Sequence, residues 1–176
     1  MTTTVDLSYP LGRFDHQAVR TSETRRAAIE DIAALPAKMR EAVRGLSDAQ
    51  LDTPYRPGGW TVRQLVHHVA DSHMNGYIRT KLAVTEDSPT IKPYEQDAWS
   101  KLPDSRLPID ISLAILDAVH TRWTAVNRAL QEQDFARTFV HPELGQLTLD
   151  RQIHLYGWHS RHHVAHITSL RQREGW

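Results

Sequence analysis

The chain has 176 residues, sets 21 Lys and Arg against 21 Asp and Glu, and is 40% hydrophobic. That length predicts one domain over residues 1–176 with a true core, and the charge balance offers no handle for nucleic acid or an anionic membrane. There is no cysteine, so disulfides, thiolate ligands and cysteine nucleophiles are excluded, and any metal must be held by His, Asp or Glu.

The opening Met1-Thr2-Thr3-Thr4-Val5-Asp6 lacks the basic and apolar regions of a signal peptide, and no apolar run reaches membrane-spanning length. A first helix is predicted from about Ser22 to Leu46. Its stripe is Ile29, Ile32, Met39, Val43 and Leu46, and a kink or break is expected at Pro36. Gly58-Gly59 then punctuates the chain. Thr61 and Gln64 read as a capping box, with Trp60 and Leu65 at staple positions. The second helix should run from there to about Thr85.

A long loop from Glu86 to about Leu107 follows, with three prolines and two aromatics, Tyr94 and Trp99. Loops of that length are functional segments or bundle crossovers. The third helix is expected with Pro108 in its first turn and a stripe of Ile111, Ile115, Val119, Trp123, Val126 and Leu130. Thr138-Phe139-Val140 and Gln146-Leu147-Thr148-Leu149 flank Pro142-Glu143-Leu144-Gly145 and read as a small hairpin or extended segment. A fourth helix is predicted from about Asp150 to Arg173, with Gly157 placed for close packing. The fold class is therefore all-α: a four-helix bundle with a long loop after the second helix and a small hairpin before the fourth.

Eight of the eleven histidines fall in two segments, 67–73 and 154–166. His159 and His163 are four apart on one helix face, close enough to share an ion. Ser160 and Val164 place His163 at the core edge, whereas His162 is expected on the wet side, and His166 is set aside as a neighbour. On the second helix, His68, Ser72, Asn75 and Arg79 form a polar line that either faces the interior or is the solvated face. His68 is the better ligand candidate; His67 lies on a different line. Asp71 could accept a hydrogen bond from a ligand histidine. Arg79 and Asn75 could contact a polar or anionic substrate, or Arg79 could make a structural ion pair. There is no H-E-x-x-H, G-x-S-x-G or phosphate-binding glycine motif. Three neutral imidazoles would leave an ion its full charge and an open position, so hydrolysis and thiol transfer are both chemically available.

The stretches Leu51 to Gln64, His67 to Asn75, Lys92-Pro93-Tyr94, Ala98-Trp99, Trp158 to His166 and Gly175-Trp176 resemble the DinB/YfiT-like superfamily of small metal-binding four-helix bundles. The resemblance covers nearly the whole chain and is nearest the metal-dependent hydrolase branch, which includes bacillithiol transferases. It implies His68, His159 and His163 as the ligands of one zinc or nickel ion per chain, a cytoplasmic location and a homodimer. The expected function is a metal-dependent hydrolase or low-molecular-weight thiol S-transferase acting on a small molecule. Asn75, Arg79, Tyr94 and Trp99 would then line the substrate pocket. A non-catalytic metal- or ligand-binding stress protein is the alternative.

Overall fold

The structure, a computed structural model, describes residues 6–176. The expectation about a leader rests on Met1–Val5 and lies outside them. Four long helices make the bundle: α1 (Ser22–Val43), α3 (Val62–Thr85), α5 (Asp110–Ala129) and α6 (Leu149–Glu174). Two single-turn helices, α2 (Asp48–Leu51) and α4 (Gln96–Trp99), sit in the connections. Strands β1 (Thr138–His141) and β2 (Gly145–Thr148) form the expected hairpin, with Phe139 opposite Leu147.

Helix α1 packs on α6 and α5, and α3 packs on α5 and α6. The sequential pairs α1/α3 and α5/α6 therefore occupy diagonals, which is why long connections follow α1 and α5. The order puts α3 directly beside α6, so the two histidine segments are neighbours. Among the described residues, no helix is long and apolar enough to cross a membrane.

The predicted box at Thr61 and Gln64 is present in full: each side chain accepts from the other's backbone N–H. It fixes the phase of α3, and so the direction of every histidine on it. Helix α6 starts on a Thr148 cap and stops at Gly175, whose φ of 73° is the left-handed conformation that glycine adopts freely.

Helix α1 runs through Pro36 without the expected break. A proline there gives no N–H to the carbonyl four residues back, that of Ile32. His120 of α5 compensates: its Nδ1 lies 2.6 Å from the Ile32 oxygen. Helix α5 is also rotated from its predicted stripe. Ile111 is exposed, while Ser112, His120 and Asn127 are buried beside Leu116 and Trp123. Ser112 and His120 tolerate burial because His67 and Ile32 respectively bond them.

Gly157 fulfils its packing role. A Cβ at that position would lie 2.9 Å from both Cα and Cβ of Ala28, so α1 and α6 touch backbone to backbone. Gly157→Ala should destabilise the protein by about 1–3 kcal/mol, the usual cost of overpacking a rigid contact. Urea unfolding midpoints test this; an unchanged midpoint would mean that the helices separate freely.

Candidate metal centre

His68 projects from α3 seven residues past its cap, and Trp60 lies against it with ring centroids 4.5 Å apart. His159 and His163 project from successive turns of α6, held close by the helix order described above. One ring nitrogen from each of the three histidines lies within 4.8 Å of the other two. The Nε2 atoms of His159 and His163 are 3.0 Å apart. Burial, above all, pushes the His68 pKa down to about 4. Burial, then the neighbouring histidines, holds His159 and His163 well below the ordinary histidine value. All three are therefore neutral at pH 7 and have lone pairs to give.

The outer nitrogens explain which lone pairs are free. The Ser8 carbonyl can only accept, and it lies 3.2 Å from His166 Nε2, so that nitrogen carries the hydrogen. His166 Nδ1 is then bare and accepts from His163 Nδ1 at 3.4 Å, which leaves His163 Nε2 bare and facing its neighbours. His159 Nδ1 lies 3.0 Å from His73 Nε2. With His73 accepting, His159 also turns a bare Nε2 inward. Two bare nitrogens 3.0 Å apart repel unless a cation sits between them and His68.

His68 Nδ1 is buried with no hydrogen-bond partner among the described residues. The donor set is all imidazole, and His73 and His166 supply the outer contacts that metal-bound histidines characteristically make. The residues thus fit a divalent ion. His162, His163 and His166 form a second close trio. Within it, the His163–His166 and His166–Ser8 contacts already occupy the ring nitrogens that face each other.

The three histidines sit in the wall of an open cavity of about 460 Å³, lined also by Tyr55, Arg56, Trp60, Asp97 and Trp158. Of the four residues expected to contact substrate, none lines this cavity. Asn75 turns its amide back to the Asp71 carbonyl on its own helix. Tyr94 stacks near Trp99, ring centroids 4.6 Å apart, and burial raises its hydroxyl pKa. Arg79 faces a separate small cavity. The polar line on α3 does face inward: His68 and Ser72 are buried, and Asn75 and Arg79 are half-buried.

Two other expectations are corrected. His162 is buried, because Trp158 stacks on it and Tyr9 of the N-terminal segment packs nearby. Asp71 makes no hydrogen bond to a histidine among the described residues; burial first, then Asp104, raises its carboxyl pKa to about 6. The orienting contacts come instead from His73 and His166. Ring stacking on His120 at 4.9 Å further fixes His73. His67 is a satisfied core histidine, within bonding distance of Ser112 Oγ and the Leu107 carbonyl.

His73→Leu should weaken divalent-ion binding by about 10–100-fold, while His73→Gln, which keeps an acceptor, should retain most of it. Chelator competition on both variants separates the acceptor from mere packing; equal losses would leave packing alone.

A bundle that brings three neutral imidazoles from two adjacent helices to the wall of an open cavity offers a donor set that could hold a divalent ion. The sequence matches the DinB superfamily over residues 31–167, and the chain belongs to that superfamily. It is 54% identical over 171 residues, 97% of this chain and 99% of the relative, to a Bacillus cereus B4264 protein named "putative metal-dependent hydrolase". A Bacillus mycoides KBAB4 protein of the same name is equally similar, at 54% over 171 residues. The solved structure of YfiT from Bacillus subtilis superposes with a TM-score of 0.92 at 50% identity, covering 97% of this chain and 98% of YfiT. That protein is described as "a probable metal-dependent hydrolase with an unusual four-helix bundle topology".

Proposed function

We propose that the protein is a metal-dependent enzyme that holds one zinc or nickel ion with His68, His159 and His163. The observation that carries this reading is the convergence of three neutral ring nitrogens on an open cavity, with no carboxylate among the donors. A divalent ion held there supplies a Lewis acid that acidifies a water or a thiol brought to its open position. Neutral ligands do not offset the ion's charge, which favours that acidification. His73 and His166 hold the ligand rings in the tautomers that face inward. Trp60 and Trp158 give the cavity apolar surface, and Arg56 and Asp97 give it charge of both signs, which suits a small polar molecule.

Hydrolysis and transfer of a low-molecular-weight thiol to an electrophile are both open to such a site. The names of the relatives favour hydrolysis. The reading carries with it a small-molecule substrate, a homodimer and a cytoplasmic setting. A cavity of about 460 Å³ beside the donors argues against a closed, purely structural ion site.

The test is turnover of an electrophile panel, esters and amides included, by metal-loaded untagged protein, with and without a thiol cosubstrate. Turnover without thiol establishes hydrolysis. Turnover only with thiol establishes transfer. Stoichiometric metal binding with turnover of neither kind would support the non-catalytic metal-binding protein instead.

A further inference from the structure

A second cavity, of about 80 Å³, shares no lining residue with the first. Arg79 of α3 and Arg151 of α6 face it, and no Asp or Glu does. The other half-buried or buried arginines that lie near carboxylates use them: Arg25 pairs with Glu132 and Asp150, and Arg63 with Asp48 and Asp52. Neither Arg79 nor Arg151 makes an ion pair among the described residues. Arg79 Nε is buried and has no hydrogen-bond partner among the described residues. A guanidinium has five donors and cannot discharge itself by losing its proton, so a half-buried one that meets only the neutral Tyr156 hydroxyl remains short of acceptors.

The rest of the lining points the same way. Arg151 donates to His16 Nδ1 at 2.8 Å, which leaves His16 Nε2–H as a donor. His141 Nδ1 accepts from the Glu143 backbone at 3.2 Å, which makes its Nε2–H a donor too. Phe139, Leu144, Leu147 and Leu155 provide an apolar wall. One acceptor remains unused. Gln152 spends its amide nitrogen on the Gly76 carbonyl and Thr80 Oγ1, and its Oε1 is buried without a partner.

We propose that this cavity binds a small 2-hydroxycarboxylate, or a larger ligand ending in one. The carboxylate satisfies Arg79 and Arg151, the hydroxyl donates to Gln152 Oε1, and the short apolar stem lies against the leucines and Phe139. A hydroxyl fits better than an ammonium beside two guanidinium charges. The site involves none of the three proposed metal ligands, so it stands or falls separately from the metal chemistry.

Nitrogen-15 spectra of the full-length protein, with and without metal, can follow the Arg79 Nε–H and the Gln152 side-chain amide during titration with lactate. Lactate should shift both signals saturably. Propionate, which lacks the hydroxyl, should bind more weakly, and lactamide, which lacks the charge, should not bind. Arg79→Gln and, independently, Arg151→Gln should weaken lactate by about tenfold or more, read at Gln152. Arg151, on a different helix from Arg79, provides the second, independent variant. Absence of a saturable shift, equal response to lactamide, tighter binding of inorganic phosphate than lactate, or unchanged affinity in both variants would each overturn the assignment.

Discussion

His159→Ala and His163→Ala should each lower affinity for a divalent ion by more than about 100-fold, a larger loss than removing an outer contact brings. His162→Ala should leave affinity near that of the parent, although all three residues lie within five positions of one helix and His162 is as buried as His163. The contrast follows from ring direction. His159 and His163 turn Nε2 atoms toward each other at 3.0 Å, whereas His162 stacks on Trp158 with its Nδ1 unpartnered. Competition with a chromophoric chelator, using protein without a polyhistidine tag, measures this. Folding must be checked in parallel by circular dichroism. Equal losses in all three variants would reject the proposed ligand set.

The metal-free protein should lose stability steeply as pH falls from about 6.5 toward 4. Burial is the largest cause that lowers His68, His120, His162 and His166 from 6.5 to about 4. In the unfolded chain these groups take up protons near pH 6.5, but in the folded protein not until about pH 4. Between those limits the unfolded state binds more protons, so stability is fully present above the window and drains away on acidification. Each group contributes up to about 1.4 kcal/mol per pH unit, so two acting independently remove roughly 3 kcal/mol per unit. That is a large share of a typical domain's roughly 5–15 kcal/mol. Urea unfolding at pH 7.5, 6 and 5 tests the sign; a flat profile would mean that these rings are already solvated. A bound ion should protect against the loss, because it competes with protons for the same nitrogens.

The parts of this architecture that the sequence makes legible are those governed by local rules. The Thr61–Gln64 box marks the start of α3 because cap and partner lie within one turn. The 159/163 pair is readable because i, i+4 spacing alone sets it. The hairpin appears where the period changes from helical to alternating. What the sequence hides depends on contacts between distant segments. Nothing near Pro36 announces that His120, far along the chain, will take the Ile32 carbonyl and allow the helix to continue. Nothing in α6 shows that Tyr9 will help cover His162. Gly76 likewise looks like a helix defect. In the structure, a Cβ at that position would come within 2.7 Å of the Tyr156 and Trp123 rings, so the glycine is the space those rings occupy. The line from His68 to Arg79 is legible as polar in the sequence. Its two ends nevertheless reach different cavities, because α3 is long enough to span both.

One contact places part of this candidate metal centre beyond the reach of alanine scanning. The chain His163–His166–Ser8 ends on a main-chain oxygen. No side-chain substitution at Ser8 deletes that oxygen, so alanine at Ser8 would not reveal the contact. Deleting the segment, or displacing it with a fused tag, removes the acceptor, lets His166 change tautomer and frees the His163 ring to rotate. Removing residues 6–20 should therefore change the measured metal affinity of this protein where alanine at Ser8 does not.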